Sequence, residues 1–126
     1  MITIAKKHKD RMASYLRAMD LYVGQDIFLL TLARNGEMSQ TELKERLNVE
    51  YPTIHKIAAR LEKRGLVEKT SDLTDNRVSV IRLNTKGKEV TQKIEFYWER
   101  LDKEFFDPLS DDEQLQLQEL LKKLNQ

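Results

Sequence analysis

The chain has 126 residues, enough for one domain with a buried core. Charged residues make up 34% of it and hydrophobic residues 40%, which is the balance of a folded globular protein. Cysteine is absent, so the composition excludes disulfides, thiolate nucleophiles, cysteine-ligated zinc and thiol-based redox sensing. The sequence shows no signal peptide and no apolar run of membrane-spanning length, which predicts a cytoplasmic protein with no membrane partner.

The net charge is only +1, but charge is unevenly distributed along the chain. Residues 40–90 contain 11 Lys and Arg against 8 Asp and Glu, whereas residues 91–126 contain 5 against 9. This polarity is expected when the middle of a chain faces a polyanion and its C-terminal third does not. It favours a nucleic-acid partner without establishing one.

Apolar spacing predicts three helices in the N-terminal part of the chain. The first covers about residues 6–21, with Met12 and Leu16 on its apolar stripe. The second, within residues 24–36, is apolar almost all round and is therefore predicted to lie in the core. The third covers residues 40–47. The sequence "SQTE" at Ser39–Glu42 has the spacing of a capping box and marks its start.

A fourth helix is predicted from Tyr51 to Arg64, so close to the third that the pair reads as a helix-turn-helix. In the connection, Asn48 can adopt a left-handed conformation and Pro52 suits a first helical turn. The inward face contains Ile54, Ile57, Ala58 and Leu61. Thr53, His55, Lys56 and Arg60 recur at helical spacing on the other side, where they are predicted to meet the DNA major groove together.

A two-stranded hairpin is predicted next, with "LVEKT" and "RVSVIRL" as its arms. Asp75 and Arg77 lie two residues apart at its tip, where the carboxylate can accept hydrogen bonds from loop amides and pair with the guanidinium. A helix-turn-helix followed by a hairpin predicts a winged helix whose wing directs Arg77 outward. The alternative is a surface salt bridge that only stiffens the hairpin.

Two further helices are predicted at the C-terminal end. A long helix covers residues 85–106, and "SDDE" at Ser110–Glu113 begins the last one, with Leu117, Leu120, Leu121 and Leu124 predicted to point inward. Together with the N-terminal apolar residues, these stripes exceed what a winged helix of this size needs to cover itself. We therefore expect a homodimer interface built from both chain ends, with a purely intrachain core as the alternative.

The segment from about residue 21 to residue 90 resembles the MarR-type (multiple antibiotic resistance regulator) transcription regulators. The family wing carries D-x-R followed at fixed distances by Leu and Gly, and this chain has Asp75, Arg77, Leu83 and Gly87 in that register. "MSQTELKERLNV" and "TIHKIAARLEKRGLVEK" are similar to the family's third helix and to its recognition helix.

Three positions depart from the family pattern. Asn84 stands in place of the usual Thr, Asn48 stands in place of the usual Gly, and Pro52 lies one position later than a common family proline. Because Asn is a good N-cap, we expect Asn84 to preserve the start of the following helix. The displaced proline bears on the angle at which the recognition helix begins.

The resemblance implies one mainly α (α+β) domain over residues 1–126, with a winged helix-turn-helix at about 22–84 and dimerisation helices at about 4–21 and 85–126. It implies a homodimeric transcription regulator, a ligand-responsive repressor that binds double-stranded DNA at a pseudo-palindromic operator. The implied DNA-binding residues are Thr53, His55, Lys56, Arg60, Asp75, Asn76 and Arg77, with Arg77 in the minor groove. A small aromatic effector is implied near Arg11, Tyr15 and Tyr22, and no cofactor is implied.

Enzymatic functions are not favoured. The chain has two histidines, His8 and His55, but no Gly-rich phosphate loop, no paired carboxylates in a distinctive spacing and no nucleophile motif. His8 with Asp10 could join a metal site, although surface residues of a basic helix explain both better. The remaining alternative is a winged helix that serves as a protein-protein interaction module without direct DNA readout.

Overall fold

A computed structural model describes residues 2–71 and 79–125. Within these ranges the chain is mainly helical and carries a small antiparallel sheet, which confirms the predicted winged-helix architecture. Its elements in chain order are α1 (Ile2–Ala18), α2 (Gln25–Asn35), β1 (Met38–Ser39), α3 (Gln40–Leu47), α4 (Tyr51–Lys63), β2 (Val67–Ser71), β3 (Ser79–Leu83), α5 (Thr85–Phe106) and α6 (Asp111–Leu124). No described helix combines the length and the apolar character that a membrane span requires.

The sheet has the strand order β1-β3-β2, with both neighbouring pairs antiparallel. The hairpin β2–β3 pairs Val67 with Leu83, and β1 pairs Met38 with Ile81 on the other edge of β3. The sequence does not predict β1, because two residues are too short to show the alternation of a strand. Met38 is buried in the core, so β1 anchors the start of α3 to the hairpin.

Helix termini follow local capping chemistry. Both predicted capping boxes are present: Ser39 and Glu42 cap α3, and Ser110 and Glu113 cap α6. The side chain of Asn84 accepts a hydrogen bond from the Gly87 N–H, which confirms its predicted role as a helix N-cap.

The first helix lies a few residues nearer the N-terminus than its apolar stripe predicts. It ends at Ala18 because Asp20 adopts a left-handed backbone with φ of 59°. The Leu21 N–H then donates to the Leu16 carbonyl at 2.8 Å, which satisfies a carbonyl at the helix end and returns the chain to the core. Met12 and Leu16 are buried as predicted.

The core lies between α2, the helix-turn-helix, the sheet and α5. Its largest fully buried side chains are Phe28, Leu16, Leu21, Leu29, Leu32, Leu43, Ile54, Leu61, Leu66, Ile81, Ile94 and Leu101. Helix α2 lies in the core as predicted, with Phe28, Leu29 and Leu32 buried, although Ile27 is 48% exposed.

A tight junction, which we call the hairpin clasp, joins the two ends of the hairpin and consists of Gly65, Leu66, Asn84 and Gly87. The Asn84 N–H donates to the Leu66 carbonyl at 3.2 Å, and the Asn84 side-chain amide donates to the Gly65 carbonyl. Gly87 packs directly on this point, since a Cβ there would lie 2.1 Å from the Leu66 carbonyl oxygen. The clasp fixes the start of α5 against the end of the helix-turn-helix.

The last helix does not bury its apolar side within the chain. Leu120, Leu121 and Leu124 do not point inward within this chain, because they are 56%, 44% and 74% exposed, which argues against the alternative of a purely intrachain core. Leu117 is half-buried, and Leu115 is also exposed. No residue of α6 is buried, so its apolar stripe is available to a surface outside this chain.

Candidate nucleic-acid interface

Helix α4 has one side buried in the core and one side open to solvent. Ile54, Ala58 and Leu61 are fully buried, and Ile57 is half-buried. The side chains predicted to bind DNA are all exposed: Thr53, His55, Lys56 and Arg60. The burial of one face therefore holds these four polar side chains on a rigid helix.

The exposed side chains of α4 occupy two adjoining faces. Thr53, Lys56 and Arg60 share a stripe, because positions three and seven residues apart return to the same side of a helix. His55 lies about 100° around the helix from Lys56. Its Nδ1 is 3.1 Å from the side-chain oxygen of Gln40 on α3, so the ring is turned toward that helix.

The connection between α3 and α4 leaves the start of α4 accessible. Asn48 has a left-handed backbone with φ of 55°, as predicted, and its N–H donates to the Lys44 carbonyl. Glu50 occupies the N-cap position of α4 without a side-chain hydrogen bond, and Pro52 lies in the first turn. The first turn carries no acidic residue that would repel a phosphate.

Side-chain contacts between α3 and α4 fix Tyr51, a residue that the sequence interpretation does not single out. Its hydroxyl is 3.0 Å from the hydroxyl of Thr41, and the Lys44 ammonium lies 5.3 Å from the centre of its ring. Tyr51 remains 45% exposed beside His55 at the start of α4. Pairs such as Thr41 and Tyr51 depend on how two helices cross, so residue type alone does not reveal them.

Arg64, which follows α4, has a structural role in the chain. Its guanidinium donates to the Asp20 carbonyl and, at 3.2 Å, to the Met19 carbonyl. Both acceptors lie in the turn after α1, so Arg64 ties the end of α4 to the first helix. Lys63 and Arg60 remain exposed near it.

The hairpin carries the second part of the predicted interface. Strands β2 and β3 are paired in register as far as Ser71 and Ser79, and Arg82 pairs with Glu68 across them at 3.1 Å. Asp75, Asn76 and Arg77, the predicted wing residues, lie outside the described residues.

The residues predicted to bind an effector lie on α1 and in the connection between α1 and α2. Tyr15 is half-buried and stacks on Tyr97 of α5, with the ring centres 4.7 Å apart and the planes at 19°. Arg11 and Tyr22 are exposed. None of the three lines the cavity of about 570 Å³ between α2 and α5, which is bounded by Ile27, Leu30, Thr31, Arg34, Glu95, Trp98, Glu99 and Asp102.

The first histidine takes part in packing between helices. The His8 ring lies 5.5 Å from the ring of Trp98 and 5.2 Å from that of Phe105, and its Nε2 is 3.4 Å from a carboxylate oxygen of Asp102. These partners are on α5, whereas the sequence alternative joined His8 with Asp10. Among residues 2–71 and 79–125, no group of three or more His, Asp or Glu side chains is arranged to hold a metal ion.

Comparison with known proteins identifies relatives of this chain. A family model described as the MarR family matches residues 27–79. The HTH-type transcriptional regulator SarZ of Staphylococcus saprophyticus is 30% identical over 108 residues, which cover 86% of this chain and 73% of SarZ. The multiple antibiotic resistance protein MarR of Escherichia coli is 27% identical over 126 residues, covering 98% of this chain and 88% of the relative.

Other relatives are longer than the matched region. The uncharacterized HTH-type transcriptional regulator YdgJ of Bacillus subtilis is 29% identical over 97 residues, and these cover 76% of this chain but 59% of YdgJ. The chain thus spans a little over half the length of that relative.

Solved structures show the same fold over almost the whole chain. The reduced form of E. coli MarR superimposes with a TM-score of 0.86 at 26% identity, covering 97% of this chain and 90% of that one. A mutant of E. coli MarR complexed with operator DNA superimposes with a TM-score of 0.85 at 25% identity, covering 97% and 88%.

Proposed function

Since the chain belongs to the MarR family of transcription regulators, we propose that it is a ligand-responsive repressor that binds double-stranded DNA sequence-specifically as a homodimer. The observation that carries the proposal is the exposed polar side of α4, where Thr53, Lys56 and Arg60 form a stripe opposite a fully buried apolar face. A relative of the same fold was crystallised with operator DNA. The proposed role is binding rather than catalysis.

Two recognition helices in one dimer would read the two halves of a pseudo-palindromic operator. In this proposal α4 enters the major groove, where Lys56 and Arg60 contact phosphates or guanine and Thr53 contacts base edges. The hairpin brings Arg77, supported by Asp75 and Asn76, to the minor groove.

The dimer is supported by apolar side chains that the single chain leaves uncovered at both ends. Ile4 on α1 is 55% exposed and Phe96 on α5 is 58% exposed. On α6, Leu120 and Leu124 are more than half exposed. Several large apolar residues exposed on neighbouring helices are typical of an interaction surface, and we propose that a second copy covers them.

The ligand response is also part of the proposal. A small aromatic compound bound near α1 and α5 would act where Tyr15 stacks on Tyr97, with Arg11 and Tyr22 as further candidate contacts. Release of a labelled operator duplex by aromatic carboxylates and phenols, compared between wild type and Tyr15→Ala, tests this part.

Fluorescence anisotropy with a duplex obtained by unbiased selection tests DNA binding directly. We expect wild-type affinity to fall steeply with salt, because cationic side chains that contact phosphates release counterions. Lys56→Ala and Arg60→Ala should each weaken binding, and loss of a phosphate contact should reduce the salt slope by about 1. Lys122→Ala, which removes the same charge from exposed α6, is the matched control.

The same experiment separates the alternative function. A winged helix that only binds other proteins would show no salt-dependent affinity for duplex DNA. Wild type that selects no duplex, or variants at Lys56 and Arg60 that bind like the Lys122 control, would contradict the proposal.

A further inference from the structure

The side chain of Gln40 contacts the imidazole ring of His55. Gln40 is the first residue of α3, His55 is in the second turn of α4, and the His55 Nδ1 is 3.1 Å from the Gln40 Oε1. A side-chain amide oxygen accepts hydrogen bonds and cannot donate them, so the imidazole nitrogen that faces it carries a proton. In a neutral imidazole the other nitrogen is then an acceptor.

The remaining acceptor is His55 Nε2, for which residues 2–71 and 79–125 supply no hydrogen-bond partner. The His55 side chain is exposed, and Tyr51, one helical turn earlier, is held aside by its contact with Thr41. An acceptor cannot bond to phosphate oxygens, which are also acceptors. For the same reason it cannot bond to N7 or O6 of guanine or to O4 of thymine. In the major groove, the hydrogen-bond donors are the amino groups N6 of adenine and N4 of cytosine.

We propose that His55 is a specificity-determining residue, positioned by Gln40, whose Nε2 accepts a hydrogen bond from the amino group of adenine or cytosine. This inference rests on the proposed DNA binding and deepens it, because it assigns a class of base to one contact. Gln40 acts through His55 and is a positioning residue that need not touch DNA.

The protonation state of the ring decides which base it selects. A doubly protonated imidazole donates from both nitrogens, and Nε2 would then bond to an acceptor: N7 or O6 of guanine, N7 of adenine or O4 of thymine. Gln40→Glu places a carboxylate against Nδ1, and a neighbouring negative charge favours the protonated ring. The substitution should therefore change the preference from a base with an amino group to a base that offers only acceptors, guanine or thymine.

Other titratable side chains lie near His55 on α4 and α3. On α4, Lys56 is the next residue, Tyr51 lies one turn before and Glu62 lies two turns after on the same side. On α3, the helix packed against the ring, Lys44 lies over the Tyr51 ring. Among the described residues, none of these groups forms a hydrogen bond or ion pair with His55.

The test is selection from a random duplex library at about pH 8, where an isolated imidazole is mostly neutral. It uses wild type, His55→Ala, Gln40→Ala and Gln40→Glu. The matched control is Gln92→Ala, which truncates an exposed glutamine on α5. Thermal melts of every variant confirm folding.

We expect wild type to favour adenine or cytosine at one position of each half-site by roughly tenfold or more. His55→Ala and Gln40→Ala should reduce the preference at that position to under about threefold, and Gln92→Ala should leave it unchanged. Gln40→Glu should favour guanine or thymine there, which offer acceptors and no amino group in the major groove. A change of base class is an effect that loss of folding cannot produce.

Two outcomes distinguish a failure of this inference from a failure of the proposed DNA binding. If wild type selects a clear operator while both Gln40 variants keep the wild-type base at every position, the inference is refuted and DNA binding stands. If wild type selects no duplex, the proposed function fails and this inference fails with it.

Discussion

A methyl group at position 87 would lie 2.1 Å from the Leu66 carbonyl oxygen, closer than non-bonded atoms approach. The obstacle is backbone on one side and the Leu83 side chain on the other, so α5 would have to move for any larger residue to fit. The glycine of the wing motif is therefore explained here by close packing rather than by an unusual backbone angle.

Gly87→Ala should lower the free energy of unfolding by about 1 to 3 kcal/mol, because overpacking forces backbone shifts. Urea unfolding followed by circular dichroism measures the effect, and Lys88→Ala, an exposed neighbour on the same helix, is the control. A Gly87→Ala protein that unfolds at the wild-type urea concentration would show that α5 can move to accept the methyl group without a loss in the free energy of unfolding.

The residue scale also shows what local sequence can and cannot predict. Ser39, Ser110 and Asn84 cap helices within three residues of themselves, so their roles are readable from spacing. The contact of Gln40 with His55 spans 15 residues, and that of Arg64 with Met19 spans 45. Such pairs depend on how helices cross, which no local pattern specifies.

Among the elements, the hairpin is the one whose proposed role depends on residues outside the described ranges. Arg77→Ala should weaken operator binding by roughly 1 to 3 kcal/mol per half-site. It should also flatten the dependence of binding on salt, because a guanidinium placed between phosphates displaces condensed counterions into solution. Asp75→Ala should act in the same direction but less strongly, since it frees the arginine without removing its charge.

Anisotropy at two salt concentrations measures this effect. Arg82→Ala is the matched control, because it removes the same charge from the same hairpin at a side chain already paired with Glu68. Equal affinity of Arg77→Ala and wild type would refute the wing contact and favour the protein-protein alternative.

Helix α6 contains a pH-sensitive cap. Hydrogen bonds from the backbone N–H and hydroxyl of Ser110 lower the pKa of Glu113 from its ordinary value. A carboxyl whose folded pKa is depressed adds stability above its unfolded pKa and loses it as pH falls through the folded value. The cap should therefore weaken as the pH falls below the ordinary pKa of a glutamate.

Circular dichroism between neutral and acidic pH checks this expectation through the start of α6. Glu113→Gln keeps an acceptor for the capping box but does not titrate, so part of the acid-induced loss of helix should disappear in that variant. Identical acid titrations of variant and wild type would assign the loss to other carboxylates.

At the scale of the whole molecule, the exposed apolar side of α6 shows which structural features an apolar sequence pattern can predict and which it cannot. The periodicity of Leu117, Leu121 and Leu124 correctly indicates a helix, and the alternative of a purely intrachain core does not hold for it, because Leu121 and Leu124 are exposed. An apolar stripe predicts that something covers it. The spacing of the apolar residues does not specify whether the same chain or a second chain packs against the stripe.

We expect light scattering at micromolar concentration to give about twice the 14.9 kDa mass of the chain. Replacing Leu120 and Leu124 by Glu should produce monomers, whereas replacing the exposed Gln116 and Gln118 by Glu adds the same charges and should leave the dimer intact. A monomeric wild type would contradict the proposed homodimer.

The two-fold symmetry of a homodimer also predicts the spacing of the half-sites in the operator. A dimer that binds one face of the duplex should protect half-sites about 10 bp apart, which is one helical turn. Footprinting measures the spacing, and a single asymmetric half-site would argue against paired recognition helices.

The hairpin clasp has a consequence for how such a protein can diverge or be redesigned. Because Asn84 bonds to Gly65 and Leu66, the two ends of the hairpin are held together independently of its tip. Lengthening a connection whose ends are held together costs only about 0.6 kcal/mol for each doubling. Insertions between Ser71 and Ser79 should thus be tolerated by the fold, which makes the tip a place where reach along DNA can change while α4 and α5 keep their positions.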